Sequence, residues 1–261
     1  MAVFTELSDE DRQIISAAYG FTSLLSVIGI ADGDSETTYL FRTGEGEYIV
    51  TLFENGAQPL DLERAFETME ALYRHGVPCP KPLRTLDGDA TSMAAGRLVA
   101  VVSFVPGASP TFAGPAKCQS LGRVMAQIHT ILERRVKCAS RDLPTGAIHG
   151  ALVQANVFFL GEEVSGVINF RLRHEDALVS ELADVLVGWA GETNGELNKE
   201  RARALLQGYQ GIRCLTEAEK EALPGFIMAS TSKRFASRKE RALLPEIAVL
   251  AYQSVTPDIL G

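Results

Sequence analysis

Residues 147–170 read Ala147-Ile148-His149-Gly150-Ala151-Leu152-Val153-Gln154-Ala155-Asn156-Val157-Phe158-Phe159-Leu160, then Gly161 to Ser165, then Gly166-Val167-Ile168-Asn169-Phe170. Two short apolar runs flank a turn-rich joint at Gly161-Glu162-Glu163, which predicts a β-hairpin. A loop carrying one His and one Asn feeds the first run. The second run ends in a lone Asn between two apolar residues. A polar loop leading into a buried hairpin is the feature that the rest of the chain is organised around.

Outward from this stretch the pattern differs on the two sides. Upstream, residues 24–31, 37–43 and 47–53 are β-prone runs joined by turns at 32–35 and 44–46, an antiparallel start. Residues 8–18 read as a short helix with Ser8 as its cap and Asp9 and Glu10 in its positive first turn. Residues 60–75 form an amphipathic helix with Leu62, Phe66, Met69, Leu72 and Tyr73 at helical spacing. Gly76 ends it, and Pro78, Pro80 and Pro82 prevent its continuation. Residues 83–86 and 98–105 predict two more strands. Pro106-Gly107-Ala108-Ser109-Pro110 reads as a linker. Beyond it the chain turns helical, over residues 116–132, 178–189, 200–209, 216–223 and 226–252. Thr216-Glu217-Ala218-Glu219 has the capping-box form.

The 261 residues allow one large domain or two lobes. The hydrophobic share of 46% and charged share of 22% are those of a globular protein. A net charge of −8 argues against nucleic-acid and anionic-membrane surfaces. Cys79, Cys118, Cys138 and Cys214 lie far apart, so idle thiols in a reducing compartment are expected rather than a zinc site or disulfides. Neither a signal peptide nor a membrane-length apolar run is visible, and the expected location is the cytoplasm.

At this point several segments resemble one family, the bacterial type II homoserine kinases within the aminoglycoside-phosphotransferase-like kinase superfamily. They are the opening Met-Ala-Val-Phe-Thr-Glu-Leu-Ser-Asp-Glu, Gly29-Ile30-Ala31-Asp32-Gly33, residues 48–54, Gly76-Val77-Pro78-Cys79-Pro80-Lys81-Pro82, the hairpin itself and residues 208–219. The resemblance implies a bilobal, protein-kinase-like α+β fold, with a small β-rich nucleotide lobe over about residues 1–104 and a helical lobe over about 105–261. It also implies ATP and Mg²⁺ as cofactors.

The family's catalytic loop reads His-x-Asp-Leu-x-x-x-Asn. His149 and Asn156 stand at their places, but Ala151 stands at the Asp that accepts or orients the substrate hydroxyl proton, and a methyl group can do neither. The family's Ile-Asp-Phe, whose Asp binds magnesium, reads Ile168-Asn169-Phe170. A neutral amide oxygen can ligate Mg²⁺ but lacks the charge that holds a hard cation against water. Ala155 replaces a further acid beside Asn156. In the nucleotide loop the chain reads Ser35-Glu36-Thr37-Thr38-Tyr39, which puts Glu36 near phosphates, and Asn55 replaces a family Lys. The stretch from His129 to His149 is shorter than the family's.

Each of these residues has a plainer reading as well. His149 can be a loop residue bonded to backbone, or a general base replacing the missing Asp. Asn156 is a turn residue or a metal ligand, and Asn169 a strand-end cap or a ligand. Gly33, Ser35, Thr37 and Thr38 can cradle a phosphate or form a hairpin turn. Thr51 occupies the centre of the strand where a nucleotide-binding Lys would stand. Glu181 is expected to play a structural hydrogen-bonding role. Glu63, Glu67 and Glu70 read as a solvated face. The Lys233, Arg234, Arg238, Lys239 and Arg241 cluster reads as solvated surface, or as a phosphate or acidic-partner site. Cys138 has no His at a diagnostic spacing.

The leading expectation is a homoserine-kinase-like pseudokinase that binds a small molecule or a partner protein in or near the interlobe cleft, without nucleic acid or membrane. The alternative is an active phosphotransferase acting on an amino-alcohol or amino-acid hydroxyl by an altered mechanism, with His149 or the substrate supplying the base. An enzyme of another reaction class that reuses the cleft has no named residues to support it.

Overall fold

A computed structural model describes residues 5–30, 36–133, 143–170, 175–236 and 244–260. Gly33, Ser35 and the rest of the 32–35 turn lie outside the described residues. So do Cys138, Arg238, Lys239 and Arg241. The chain divides into two compact units, Met1–Val105 and Pro106–Gly261.

In the first unit, helix α1 (Asp9–Tyr19) starts at Ser8 with a full capping box. The Ser8 hydroxyl accepts from the Asp11 amide, and the Asp11 carboxylate accepts from the Ser8 amide. Strands β1 (Leu24–Ile30), β2 (Thr37–Thr43) and β3 (Glu47–Phe53) follow, then α2 (Pro59–Arg74), β4 (Pro82–Leu83), β5 (Ser92–Ala94) and β6 (Arg97–Ser103). The antiparallel sheet has the order β1-β2-β3-β6-β4, with β5 pairing β6. Alternation along the strands buries Tyr39, Phe41, Val50, Leu52, Val99 and Val101 on one face, against Leu7, Ile15 and Tyr19.

Three expectations are corrected in this unit. The strand predicted at 83–86 shrinks to Pro82–Leu83, because the chain then folds into a turn in which the Thr85 amide donates to Asp89 and the Leu86 amide to Ala18. Strand β5 was not anticipated; it forms a hairpin with β6 across Ala95 and Gly96, both at positive φ (50° and 67°), the twist that a two-residue hairpin needs. Tyr73 is exposed, and Ala65 joins Phe66, Met69 and Leu72 on the buried face of α2.

The second unit contains α3 (Pro115–Leu132), β7 (Thr145–Ala147), β8 (Val157–Leu160), β9 (Glu163–Val167), β10 (Glu175–Ala177), α4 (Leu178–Ala190), α5 (Lys199–Gln210), α6 (Glu217–Ala236), α7 (Leu244–Gln253) and α8 (Pro257–Leu260). Strands β8 and β9 make the predicted hairpin, and β7 pairs β10. Helices α3 and α5 meet through two glycines. A Cβ on Gly122 would lie 2.1 Å from the Leu205 carbonyl oxygen, and one on Gly208 would lie 2.0 Å from that of Gln119. Only hydrogen leaves room for the backbones to approach this closely.

The predicted break between residues 223 and 226 is absent. Helix α6 runs through Pro224 and Gly225, burying Leu223, Ile227, Ser230, Thr231 and Phe235. Packing on both sides of the proline overrides a local cost of about 3 kcal/mol. The Thr216 capping box is present: the Glu219 amide donates to the Thr216 hydroxyl, and the Thr216 amide to the Glu219 carboxylate.

Candidate catalytic loop and its support

Local chain physics delivers the loop. After β7, Ile148 and His149 are buried, and Gly150 turns at φ 70°. A single 3-10 turn, Gln154–Asn156, then leads directly into β8. The hairpin is held against α3 at its turn. The Ser120 hydroxyl donates to Glu163 at 2.7 Å and accepts from the Val164 amide, while Arg123 pairs with Glu163 and Lys117 with Glu162.

Behind the loop lies a buried polar network. The amides of His149 and Gly150 donate to the Glu181 carboxylate, which is 2% exposed. The other partner of Glu181 is His129 Nε2 at 3.0 Å. His129 Nδ1 lies 2.8 Å from the Tyr209 hydroxyl, which accepts from Arg213 at 3.1 Å. Arg213 also donates to Glu219 and Glu133.

The chain of contacts runs from Arg213, which donates to the Tyr209 oxygen, through the Tyr209–His129 Nδ1 contact, to the His129 Nε2–H that donates to Glu181. Burial by itself raises the Glu181 pKa. The hydrogen bond and charge of His129, then the Gly150 amide and the charge of His149, more than offset it and hold the carboxyl below the usual range. Burial likewise pushes the Tyr209 phenol up. The Trp189 indole N–H completes the support, donating to the Leu152 carbonyl at 2.6 Å. Glu181 thus acts through hydrogen bonding, as expected.

The front of the loop is different. His149 Nδ1 accepts from the Ala151 amide at 3.2 Å, and Nε2 lies 2.9 Å from the Ile168 carbonyl. That pair fixes the tautomer with the proton on Nε2 and engages both ring nitrogens, while Phe170 packs edge-on at 4.7 Å. This is the bonding that the loop-residue reading of His149 expects, with both nitrogens turned to backbone groups. Asn156 donates from Nδ2 to the Ala151 carbonyl at 2.9 Å, so it closes the loop as a turn residue does. That bond leaves Oδ1 as the amide atom a cation would use.

Asn169 follows β9 rather than ending it, is exposed, and sits at φ 67°, a left-handed conformation that Asn tolerates better than most residues. Val157 pairs with Val167, and the Ile168 amide donates to the Asn156 carbonyl, so Asn156 and Asn169 flank the same end of the hairpin.

Two neutral amides do not fit a tightly held divalent cation, which draws its affinity from carboxylate charge. Among the described residues no group of three His, Cys, Asp or Glu side chains could hold a metal ion.

The nucleotide-lobe candidates separate in the first unit. Thr37 is buried at the end of the sheet, where its hydroxyl donates to Glu54 and accepts from the Thr5 amide. Glu36 is tied to the same place, accepting from the Glu54 amide at 2.8 Å. Thr38 and Thr51 are cross-strand neighbours, in a row that runs Ile30, Thr38, Thr51, Ala100 beside the row Ile28, Leu40, Ile49, Val102. Glu63 and Glu70 are not a solvated face: both pair with Arg84, at 2.6 and 2.7 Å. In the basic cluster, Lys233 is exposed, and the Arg234 guanidinium donates to the Val187 carbonyl.

Comparison with known proteins decides the lineage. The homoserine kinase of Granulibacter bethesdensis is 35% identical over 266 residues, covering 86% of this chain and 83% of the relative. The chain belongs to the homoserine kinase family. The homoserine kinase of Methylobacterium radiotolerans matches at 34% with the same coverage. The model described as "Phosphotransferase enzyme family" matches residues 26–141.

Among solved structures, an aminoglycoside phosphotransferase from Alicyclobacillus acidocaldarius superposes with a TM-score of 0.71 at 13% identity, covering 98% of this chain and 97% of that one. An amicoumacin kinase in complex with AMP-PNP and Ca²⁺ gives 0.67 at 15% identity, covering 96% of each chain. The expected protein-kinase-like α+β fold is therefore the one the chain adopts, and its family is one of small-molecule phosphotransferases. Among the described residues no helix is long and apolar enough to cross a membrane.

The support network was only partly legible in advance. Glu181 had been singled out, whereas the links through His129, Tyr209, Arg213 and Glu219 join residues up to 80 positions apart. A single sequence carries no signal for that pairing, apart from the Thr216 capping box that marks Glu219.

Proposed function

We propose that this homoserine kinase family member is a pseudokinase that has kept the loop architecture and lost conventional phosphoryl transfer. It would serve as a small-molecule- or protein-binding module in the cytoplasm. One observation carries the reading: the loop is fully supported from behind, yet Ala151 occupies its base position, and both nitrogens of the neighbouring His149 are already engaged. General-base catalysis contributes about 10²–10⁴-fold, and no other described group of the loop supplies it. ATP is the ligand class that the family supports. The apolar row of exposed Ile28 and half-buried Leu40, Ile49 and Val102, beside the Thr38 and Thr51 row, supports a flat base as its recognised part.

A second reading has its own support. Relatives aligned over most of the chain are named homoserine kinases, which favours a slow phosphotransferase acting on a small hydroxyl substrate that loses its proton without help from the protein.

One assay separates the two. Phosphate transfer from Mg·ATP is measured with homoserine and a panel of small amino alcohols, for the wild type and for Asn156→Ala. The pseudokinase reading expects no transfer above the Asn156→Ala control. Transfer well above that control overturns it. His149→Ala then tests the altered mechanism: with the substrate losing its proton unaided, turnover is expected to survive in the folded variant, and its loss would return the base role to His149.

A further inference from the structure

The three acids that the family would place at this loop are neutral together. Residues 149–156 and 166–170 contain no Asp or Glu, with Ala151, Ala155 and Asn169 at the places in question. The carboxylate that does touch the loop, Glu181, is buried behind it, with its oxygens facing His129 and the amides of His149 and Gly150.

This changes what an anion meets at the end of the hairpin. A carboxylate beside a polyphosphate repels it unless a cation stands between them, because like charges a few ångströms apart in a partly desolvated site interact strongly. An amide removes that repulsion and offers N–H donors of its own. Asn169 is exposed at this end of the hairpin, and Asn156 stands beside it. The charge pattern has thus changed from one that needs a bridging cation to one that does not.

We infer that the loop end formed by Asn156 and Asn169 takes a phosphate-bearing ligand without a divalent cation. The inference rests on the binding-module reading above and names the form in which the ligand is recognised. Asn169 contributes an N–H donor to the phosphate, and the missing carboxylates remove the demand for Mg²⁺.

Titration calorimetry on the full chain tests it, with ATP as the probe, once in EDTA and once with excess Mg²⁺, and with adenosine in EDTA. The expected result is that ATP binds in EDTA within about fivefold of its affinity with Mg²⁺, and more tightly than adenosine. Binding that is more than about fivefold tighter with Mg²⁺, ATP no tighter than adenosine, or no ATP binding in either condition overturns the inference.

Asn169→Asp sharpens the test, since Asp also tolerates the left-handed conformation. It is expected to weaken ATP by about tenfold in EDTA and to make binding depend on Mg²⁺. Unchanged affinity in EDTA counts against the proposal, and the wild-type comparison decides independently if the variant does not fold. Failure here and failure of the functional proposal are distinguishable. Mg²⁺-dependent ATP binding without transfer ends the metal-free inference and leaves the pseudokinase reading standing. Transfer to an alcohol ends the pseudokinase reading, whatever the calorimetry shows.

Discussion

The back and the front of one loop make an instructive pair. At the back, Glu181 and Trp189 hydrogen-bond residues 149–152, and His129, Tyr209 and Arg213 continue the buried network behind Glu181. The front, at Ala151, Ala155 and Asn169, has been stripped of charge. The two sides carry different physical stakes. A buried polar group left without its partner costs the whole fold, whereas an exposed carboxylate exchanged for a methyl or an amide costs chemistry and little stability. Changes at the front are therefore cheap in stability, and changes at the back are not.

The largest test of that contrast is Glu181→Ala. It strands the His129 N–H and two backbone amides in the interior, and a loss of about 3–5 kcal/mol is expected in urea unfolding. A loss below about 1 kcal/mol would mean that the network is not what holds the loop. Next in size is Gly208→Ala, which pushes a methyl into the Gln119 carbonyl. Separating α3 from α5 should cost about 1–3 kcal/mol, and a neutral result would mean that the two helices have slack.

On the front, Asn169→Ala should cost only about 1 kcal/mol, for placing an ordinary residue at φ 67°, and Ala151→Asp should fall within about 0.5 kcal/mol of the wild type. A thermal scan of both variants beside Glu181→Ala shows whether the front is as undemanding as the contrast requires.

Acid sensitivity gives the finest comparison. The folded Glu181 pKa is depressed below its unfolded value of about 4.3. Its contribution is therefore present above that pH and is lost as pH falls toward the lower folded value. Stability measured from pH 6 downward should fall less steeply in Glu181→Gln than in the wild type. Parallel curves would show that other carboxylates, such as the capping Asp11, carry the acid response.

The sequence was most informative where one residue's chemistry is local. The alternation in β2 and β3, the Ser8 and Thr216 caps and the hairpin around Gly161 all follow from neighbours in the chain, and each formed. It was less informative where packing arbitrates. Pro224 reads as a helix break, and α6 passes through it because Leu223 and Ile227 are buried on either side. Glu63 and Glu70 read as solvent-facing until Arg84, fourteen or more positions away, pairs with both.

For the candidate site the division is the same. The sequence by itself determined the family and the absence of acids at 151, 155 and 169, since these are matters of residue identity at fixed spacing. Only the tertiary structure showed that both His149 ring nitrogens are engaged, because their partners are the Ala151 amide and the Ile168 carbonyl, nineteen residues away just beyond β9. It also showed that Thr37 is buried, with its hydroxyl donating to Glu54. Identity is written one residue at a time, but the partners that hold or occupy a hydrogen-bonding atom are set by the fold.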